Sequence, residues 1–127
     1  MKQFRDSKYW VSKDGKVFRH YPKREYINNK GYITQSYLEK YRPLKSVIQK
    51  NQGREYVVLW SKKPQRFIIH RLVAEIYCPG YFEGAQVDHI DCNKLNNHYT
   101  NLQWCTPDYN KRKGNNPTFP LYNVRHK

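Results

Sequence analysis

Asp88 and His89 are the residues of this chain whose types and spacing most directly indicate chemistry. They are neighbours at the end of an apolar segment, in the stretch Val-Asp-His-Ile-Asp over residues 87–91. Hydrolysis of a phosphodiester needs an activated water and positive charge where negative charge develops. A neutral imidazole is a suitable base for that water, and carboxylate oxygen is a ligand that Mg²⁺ accepts. Such a pair on its own is more often structural than catalytic, but an acidic, histidine-bearing site in a strongly basic chain suggests a metal held against a phosphate.

The charge of the whole chain favours an anionic partner. Lys and Arg number 24 against 10 Asp and Glu, for a net charge of +14. Such an excess repels itself unless a polyanion neutralises it, so nucleic acid is the expected partner. A basic surface without that function, or one that meets anionic membranes, is the alternative.

Acidic residues cluster near the candidate pair. Glu83, Asp88 and Asp91 lie within nine residues, where a surface that only binds DNA would need none. A bound cation would resolve this conflict. For Glu83 and Asp91 a simpler interpretation, as solvated loop or turn residues, is favoured.

Composition also limits the class of protein. The 127 residues suit one domain, or a small domain with an appendage. No run approaches the ~20 apolar residues of a membrane span, and the N-terminus lacks the apolar stretch of a secretory signal. Three cysteines without a C-x-x-C pair argue against structural zinc and against a disulfide framework. We therefore expect reduced thiols and a cytoplasmic location.

Local patterns predict a β-rich N-terminal region. Asp14-Gly15 lies between two apolar segments and is typical of a hairpin turn. Residues 22–46 have no sustained period and several turn formers, so loops and short strands are expected there. Residues 55–60 and 66–69 are β-branched and aromatic, and they predict a second hairpin with its turn at 62–64.

The period then changes to that of a helix. Apolar residues recur at three- and four-residue steps from Ile69 to Tyr77, and Pro79-Gly80 is expected to end the helix. His70, at the start of this helix, is expected to be a packed or hydrogen-bonded structural histidine rather than a ligand.

A strand–loop–strand–helix unit is expected to follow. Residues 86–90 and 102–106 predict two short strands joined by the loop 91–101. Pro107 is expected to open a closing helix through about Lys113, with Thr106 as its N-cap. Because neighbouring strand residues point to opposite faces, the first strand must end or twist at Asp88 and His89 for both to serve one site.

This unit resembles the HNH endonucleases, the ββα-metal nucleases, and specifically their His-Asn-Asn branch among phage-type homing enzymes. The matching text is Val-Asp-His-Ile-Asp-Cys-Asn-Lys-Leu-Asn-Asn from Val87, Asn-Leu-Gln-Trp-Cys-Thr from Asn101, and Tyr109-Asn110. Upstream, residues 9–17 are similar to a small DNA-binding module often fused ahead of this nuclease core. The resemblance implies an α+β protein: a β-rich DNA-binding region over 1–65, the nuclease core over 66–113, and a basic arm over 114–127, draped or flexible.

The resemblance implies a role for each matching residue. His89 would be the general base that activates water. Asp88 and Asn110 would bind one catalytic metal ion, which contacts the scissile phosphate and stabilises the leaving 3′ oxygen. Asn101 would tie the loop together and orient His89. The products would carry 5′-phosphate and 3′-hydroxyl ends.

Two positions differ from the usual family pattern. Glycine commonly stands where this chain has Cys92, and since cysteine tolerates positive φ poorly, a different turn is expected there. The third motif position is Asn110 rather than histidine. An amide oxygen favours a hard ion over zinc, so Mg²⁺ or Mn²⁺ is the expected cofactor.

Two basic groups flank the core and are expected to contact the backbone of double-stranded DNA. They are Lys62, Lys63, Arg66 and Arg71 before it, and Lys111, Arg112 and Lys113 on its last helix. Such contacts position the duplex without reading its sequence and make binding dependent on salt. The alternative is that these charge runs form an ordinary solvated face.

The expected activity is that of a divalent-metal-dependent DNA endonuclease, either a homing enzyme or a nickase. One rival is a non-catalytic nucleic-acid-binding protein that keeps the scaffold. It is disfavoured because Asp88, His89, Asn101 and Asn110 are all present. The other rival is an RNA-acting or structure-specific nuclease, since a metal site does not read the sugar.

Overall fold

The computed structural model describes residues 1–122 and has an α+β fold, as the sequence predicts. Its strands are β1 (Lys2–Gln3), β2 (Tyr9–Val11), β3 (Val17–Tyr21), β4 (Arg24–Ile27), β5 (Ile33–Tyr37), β6 (Lys40–Pro43), β7 (Val47–Ile48), β8 (Glu55–Trp60), β9 (Pro64–Ile68), β10 (Gln86–His89) and β11 (Leu102–Cys105). Its α-helices are α1 (Ile69–Tyr77) and α2 (Pro107–Lys113), and a 3₁₀ turn over Tyr99–Asn101 precedes β11.

The predicted hairpin at Asp14-Gly15 joins β2 to β3 in an antiparallel sheet of order β1-β2-β3-β6. Gly15 has a φ of +89°, and a Cβ atom there would lie 2.8 Å from Cγ2 of Ile69 and 3.0 Å from Cβ of Asn97. Glycine is therefore required at this turn for its backbone conformation and for its lack of a side chain. The turn brings the N-terminal sheet against α1 and the loop 91–101.

We expect Gly15→Ala to lower the free energy of unfolding by about 2 kcal/mol, since it combines a positive φ with a steric clash. Urea unfolding followed by tryptophan fluorescence would measure the loss. Gly31→Ala is the matched control, because Gly31 has a φ of +86° but no atom of residues 1–122 lies within 4 Å of the Cβ position. Equal losses in both variants would show that the contact with α1 and the loop does not matter.

Residues 22–46 form short strands and turns, as expected, and part of this segment projects from the fold. β4 and β5 pair with each other in a separate two-stranded sheet, and every residue of both strands is exposed. Asn28 builds the turn between them, since its Oδ1 accepts hydrogen bonds from the backbone N–H groups of Lys30 and Tyr32 at 2.9 and 3.0 Å. The hairpin is therefore held by backbone pairing and by its turn, with little burial.

The second predicted hairpin is formed by β8 and β9, and α1 follows it directly. The helix ends at Tyr77, before Pro79-Gly80, and it buries Ile69, Leu72, Val73 and Ala74. This apolar face packs into a core whose members come from both halves of the chain, including Val11, Val57, Leu72, Val87 and Trp104. One hydrophobic core thus crosses the expected boundary at residue 65.

The last described residues drape over α2. The ring of Phe119 makes an edge contact with that of Tyr109, at 5.4 Å between centroids, and the Tyr109 hydroxyl donates to the carbonyl of Pro120. Residues 123–127 of the arm, including His126, lie outside the described residues. Over residues 1–122, no helix is long and apolar enough to cross a membrane.

Candidate active site

β10, β11 and α2 form the unit that carries the candidate residues. In the antiparallel pair, Asp88 lies opposite Gln103 and His89 lies opposite Leu102. Thr106 caps α2 as expected: its Oγ1 accepts a hydrogen bond from the backbone N–H of Tyr109 at 3.1 Å, with Pro107 in the first turn. β10 ends at His89, as it must if its last two side chains serve one site.

Asp88, His89 and Asn110 border one open cleft of about 360 Å³, and Asn101 is not part of its lining. α1 contributes His70 to the same cleft. Residues separated by more than twenty positions in sequence are thus brought together because α2 folds back against β10. The juxtaposition places carboxylate and amide groups and an imidazole at one surface, groups that phosphodiester chemistry can use.

His89 is held in one orientation by Asn97. The Nε2 atom of His89 lies 2.9 Å from Oδ1 of Asn97, and Nδ2 of Asn97 donates to Oε1 of Glu55 at 3.3 Å. Because an amide oxygen only accepts, Nε2 carries the proton and the lone pair of His89 is on Nδ1. Burial lowers the pKa of His89 below its usual value, with opposing contributions from Asn97 and Asp88. The ring is therefore neutral, and its Nδ1 atom can accept a proton.

Asp88 is buried, and one of its two carboxylate oxygens is hydrogen-bonded to other side chains. Its Oδ2 accepts hydrogen bonds from Nζ of Lys113 at 2.7 Å and from Nε2 of Gln103 at 2.9 Å. Within residues 1–122 no donor reaches Oδ1. This oxygen is therefore the one that Asp88 can offer to a cation.

Lys113 does not occupy the position expected of a DNA contact. Its side chain is 1% exposed, and its ammonium is bonded to Asp88 and to the carbonyls of His89 and Ile90. A charge run predicts a solvated face, but the last turn of α2 packs on β10, so this lysine points inward. The expected contact between Lys113 and the DNA backbone is corrected accordingly.

Asn110 and Asn101 lie in different surroundings. Nδ2 of Asn110 donates to Oε1 of Gln86 at 3.1 Å, which leaves its carbonyl oxygen for another partner. Nδ2 of Asn101 donates to Asp91 and to the carbonyl of Asn96, both at 2.9 Å, and its Oδ1 accepts from the backbone of Asp91 at 3.1 Å. Asn101 thus ties the loop together, whereas direct contact with the His89 ring comes from Asn97.

The comparison with known proteins agrees with this arrangement. Residues 67–112 match the family model described as HNH endonuclease. This match to the HNH endonuclease family spans the segment that carries Asp88, His89, Asn101 and Asn110.

The chain is similar to phage and viral proteins. DNA endonuclease I-HmuI of Bacillus phage SP01 is 44% identical over 69 residues, which are 54% of this chain and 40% of that protein. An uncharacterized HNH endonuclease of Acanthamoeba polyphaga mimivirus is 34% identical over 109 residues, 83% of this chain and 26% of that protein. The chain thus spans less than half the length of these curated relatives.

The similarity extends beyond the HNH core to the N-terminal sheets. A solved structure that concerns DNA binding and cleavage by the HNH homing endonuclease I-HmuI matches 98% of this chain, with a TM-score of 0.68 and 31% identity. The chain covers 63% of that protein. The upstream strands therefore have counterparts in a structurally characterised HNH protein.

Asp91 and Cys92 form the turn that opens the HNH loop. Oδ1 of Asp91 accepts from the backbone N–H of Asn93 at 2.8 Å, and Oδ2 accepts from Asn96 at 2.9 Å, so Asp91 is a turn residue. Cys92 has a φ of +63°, and its N–H donates to the carbonyl of His89 at 2.9 Å. The expectation of a different turn at Cys92 is wrong: the cysteine adopts the left-handed conformation that favours glycine.

This conformation makes Cys92→Gly a stabilising substitution. We expect it to raise the free energy of unfolding by about 1 kcal/mol, because it removes a non-glycine residue from positive φ. Thermal and urea unfolding would measure the gain. Cys92→Ala is the control, since it removes the sulfur but keeps Cβ; an equal gain in both variants would attribute the effect to the thiol instead.

His70 is packed beside the catalytic candidate. Its ring makes an edge contact with that of His89, at 5.2 Å between centroids, and its Nδ1 has no hydrogen-bond partner among residues 1–122. Burial lowers the pKa of His70 to about 3, with a smaller contribution from His89. His70 is therefore a neutral, packed ring that forms one wall of the cleft.

The other basic candidates are exposed and lie away from the cleft lining. They are Lys62, Lys63, Arg66, Arg71, Lys111 and Arg112. The lining instead contains Arg54 and Lys94, which were not singled out from the sequence. Arg54 precedes β8, and Lys94 lies in an Asn-rich loop whose residues read as turn formers, so neither had a motif to mark it. The role of Asn97 was missed for the same reason, whereas that of Lys113 was missed because its basic run predicts a solvated face.

Proposed function

We propose that this HNH protein is a divalent-metal-dependent DNA endonuclease that hydrolyses phosphodiester bonds. The observation that carries the proposal is the convergence of Asp88, His89 and Asn110 on one open cleft. DNA binding and cleavage by the related I-HmuI support DNA as the substrate. The remaining basic surface, including Lys62, Lys63, Arg66, Arg71, Lys111 and Arg112, would bind the backbone of the duplex.

The residues present fit a hard cation. Among the described residues no donor reaches the second oxygen of Asp88, and Asn110 donates through its nitrogen, which leaves its amide oxygen for the cleft. Within residues 1–122 no group of three His, Cys, Asp or Glu side chains could hold a metal, so a zinc-like ligand set is absent there. Two oxygen ligands suit a single Mg²⁺ or Mn²⁺, with water and phosphate completing its coordination.

In the proposed reaction each side chain has a distinct task. Nδ1 of His89 accepts a proton from the attacking water, while Asn97 holds the ring through Nε2. A bound divalent ion supplies Lewis-acid stabilisation of charge on the phosphate and the leaving oxygen. Arg54 and Lys94 border the cleft and attract the phosphate backbone. Asn101 keeps the loop closed around this arrangement.

Cleavage of supercoiled plasmid in Mg²⁺, in Mn²⁺ and in EDTA tests the proposal. We expect nicked circles or linear DNA with either metal and intact plasmid in EDTA, with 5′-phosphate and 3′-hydroxyl ends. A gel shift in EDTA measures binding separately. Bound but intact DNA under all conditions would favour the non-catalytic rival, and preferential cleavage of RNA of the same sequence would favour the RNA-acting one.

A further inference from the structure

Lys113 has an unusual environment for a lysine at the end of a surface helix. Its side chain is 1% exposed, and its three N–H donors have three acceptors: Oδ2 of Asp88 at 2.7 Å and the carbonyls of His89 and Ile90 at 2.7 and 2.9 Å. A buried ammonium persists only where it is paired and hydrogen-bonded in this way. All of its partners belong to the end of β10.

The position of Lys113 on α2 couples it to Asn110. The two residues are three positions apart and so share one face of the helix. That face packs on the face of β10 that carries Gln86 and Asp88: Asn110 bonds to Gln86, and Lys113 bonds to Asp88. Lys113 therefore fixes the helix that carries one proposed ligand against the strand that carries the other.

The contact also places the two carboxylate oxygens of Asp88 in different environments. Lys113 and Gln103 both donate to Oδ2, while within residues 1–122 no donor reaches Oδ1. We propose that Lys113 is a positioning residue that holds Oδ2 and so restricts Asp88 to coordinating a divalent cation through Oδ1 alone. This inference rests on the proposed function of the cleft.

The Lys113–Asp88 contact, called the clamp below, is expected to weaken metal binding and to speed DNA cleavage. The ammonium repels a cation bound to the same carboxylate, so it weakens metal binding. It also prevents the carboxylate from using both oxygens, which would occupy a position that water or phosphate needs. A role confined to stability would instead lower binding and cleavage together, in proportion to the unfolded fraction.

Direct binding of Mn²⁺ to the chain without DNA, followed by electron paramagnetic resonance, tests the clamp without relying on activity. We expect Lys113→Met to bind Mn²⁺ about tenfold more tightly than wild type, because a neighbouring positive charge is lost. Lys113→Arg keeps the charge and should remain within about threefold of wild type. At saturating Mn²⁺, we expect Lys113→Met to cleave plasmid at least about tenfold more slowly per folded molecule.

Lys30→Met is the matched control, since Lys30 is an exposed lysine in the turn between β4 and β5 and has no bond to Asp88. It should leave Mn²⁺ affinity unchanged. Circular dichroism establishes the folded fraction of each variant, and Lys113→Gln replaces Lys113→Met if the latter does not fold. Unchanged or weaker Mn²⁺ binding by the neutral variant overturns the clamp.

The two proposals can fail separately. If wild type does not cleave DNA but the order of Mn²⁺ affinities holds, the proposed function fails and the clamp on Asp88 stands. If wild type cleaves DNA and the neutral variant binds Mn²⁺ no more tightly, the nuclease assignment stands and the clamp is overturned.

Discussion

Replacing His89 with alanine is expected to slow DNA cleavage by a factor of about 10² to 10⁴, the usual contribution of a positioned general base. The imidazole is neutral, is held through Nε2 by Asn97, and borders the cleft with Asp88 and Asn110. DNA affinity in EDTA should stay near the wild-type value, because the ring is largely buried and uncharged. Single-turnover cleavage of supercoiled plasmid in Mg²⁺ measures the loss.

His98→Asn provides the control for that measurement. His98 lies in the same loop, but its ring accepts a hydrogen bond from the backbone N–H of Thr100 at the start of the 3₁₀ turn and does not border the cleft. Asparagine can take over this capping role. Equal rates for wild type and His89→Ala would exclude His89 as the base, and equal losses in both variants would indicate a general effect on the loop.

Removing the carboxylate of Asp88 is expected to destabilise the fold by about 3–5 kcal/mol, because it leaves a buried ammonium without its counter-charge. The side chains of Lys113 and Asp88 are 1% and 6% exposed, and they pair at 2.7 Å. Asp88→Ala combined with Lys113→Met should lose less stability than the sum of the two single variants, since no unpaired charge remains. Urea unfolding of wild type, the two single variants and the double variant measures the four free energies of unfolding.

The exposed ion pair Asp108–Arg112 is the reference against which the loss of stability in this double-mutant cycle is compared. Its side chains are 72% and 67% exposed at a separation of 3.3 Å, so Asp108→Ala should cost no more than about 1 kcal/mol. Strict additivity in the Asp88–Lys113 cycle would contradict a buried ion pair. It would also contradict the proposal that Lys113 holds Oδ2 of Asp88 in place.

Much of the local structure was predictable because its determinants are close in sequence. Asp14-Gly15 turns the first hairpin, Thr106 and Pro107 begin α2, and the apolar period from Ile69 to Tyr77 forms α1. Each signal acts over a few residues, through backbone conformation, capping or the helical repeat. The positions of Asp88, His89 and Asn110 at one cleft were likewise expected from the spacing and the resemblance.

Contacts across the fold were harder to predict, since the same residue types serve several purposes. Asn97 lies in a run of turn-forming residues, yet it is 4% exposed and holds the ring of His89. Arg54 lies forty positions from Lys94, and both border the cleft. Cys92 accepts a positive φ because hydrogen bonds of its neighbours close the turn around it.

The sequence by itself determined the chemistry available to this protein: a carboxylate beside an imidazole, two amides at family spacing, and a strongly basic chain. Only the tertiary structure decided how those groups are held. Lys113 shows the difference most clearly, since it belongs to a run of three basic residues and only its neighbours in that run are exposed. Its direction depends on how α2 packs against β10, and this packing is set by contacts between residues more than twenty positions apart.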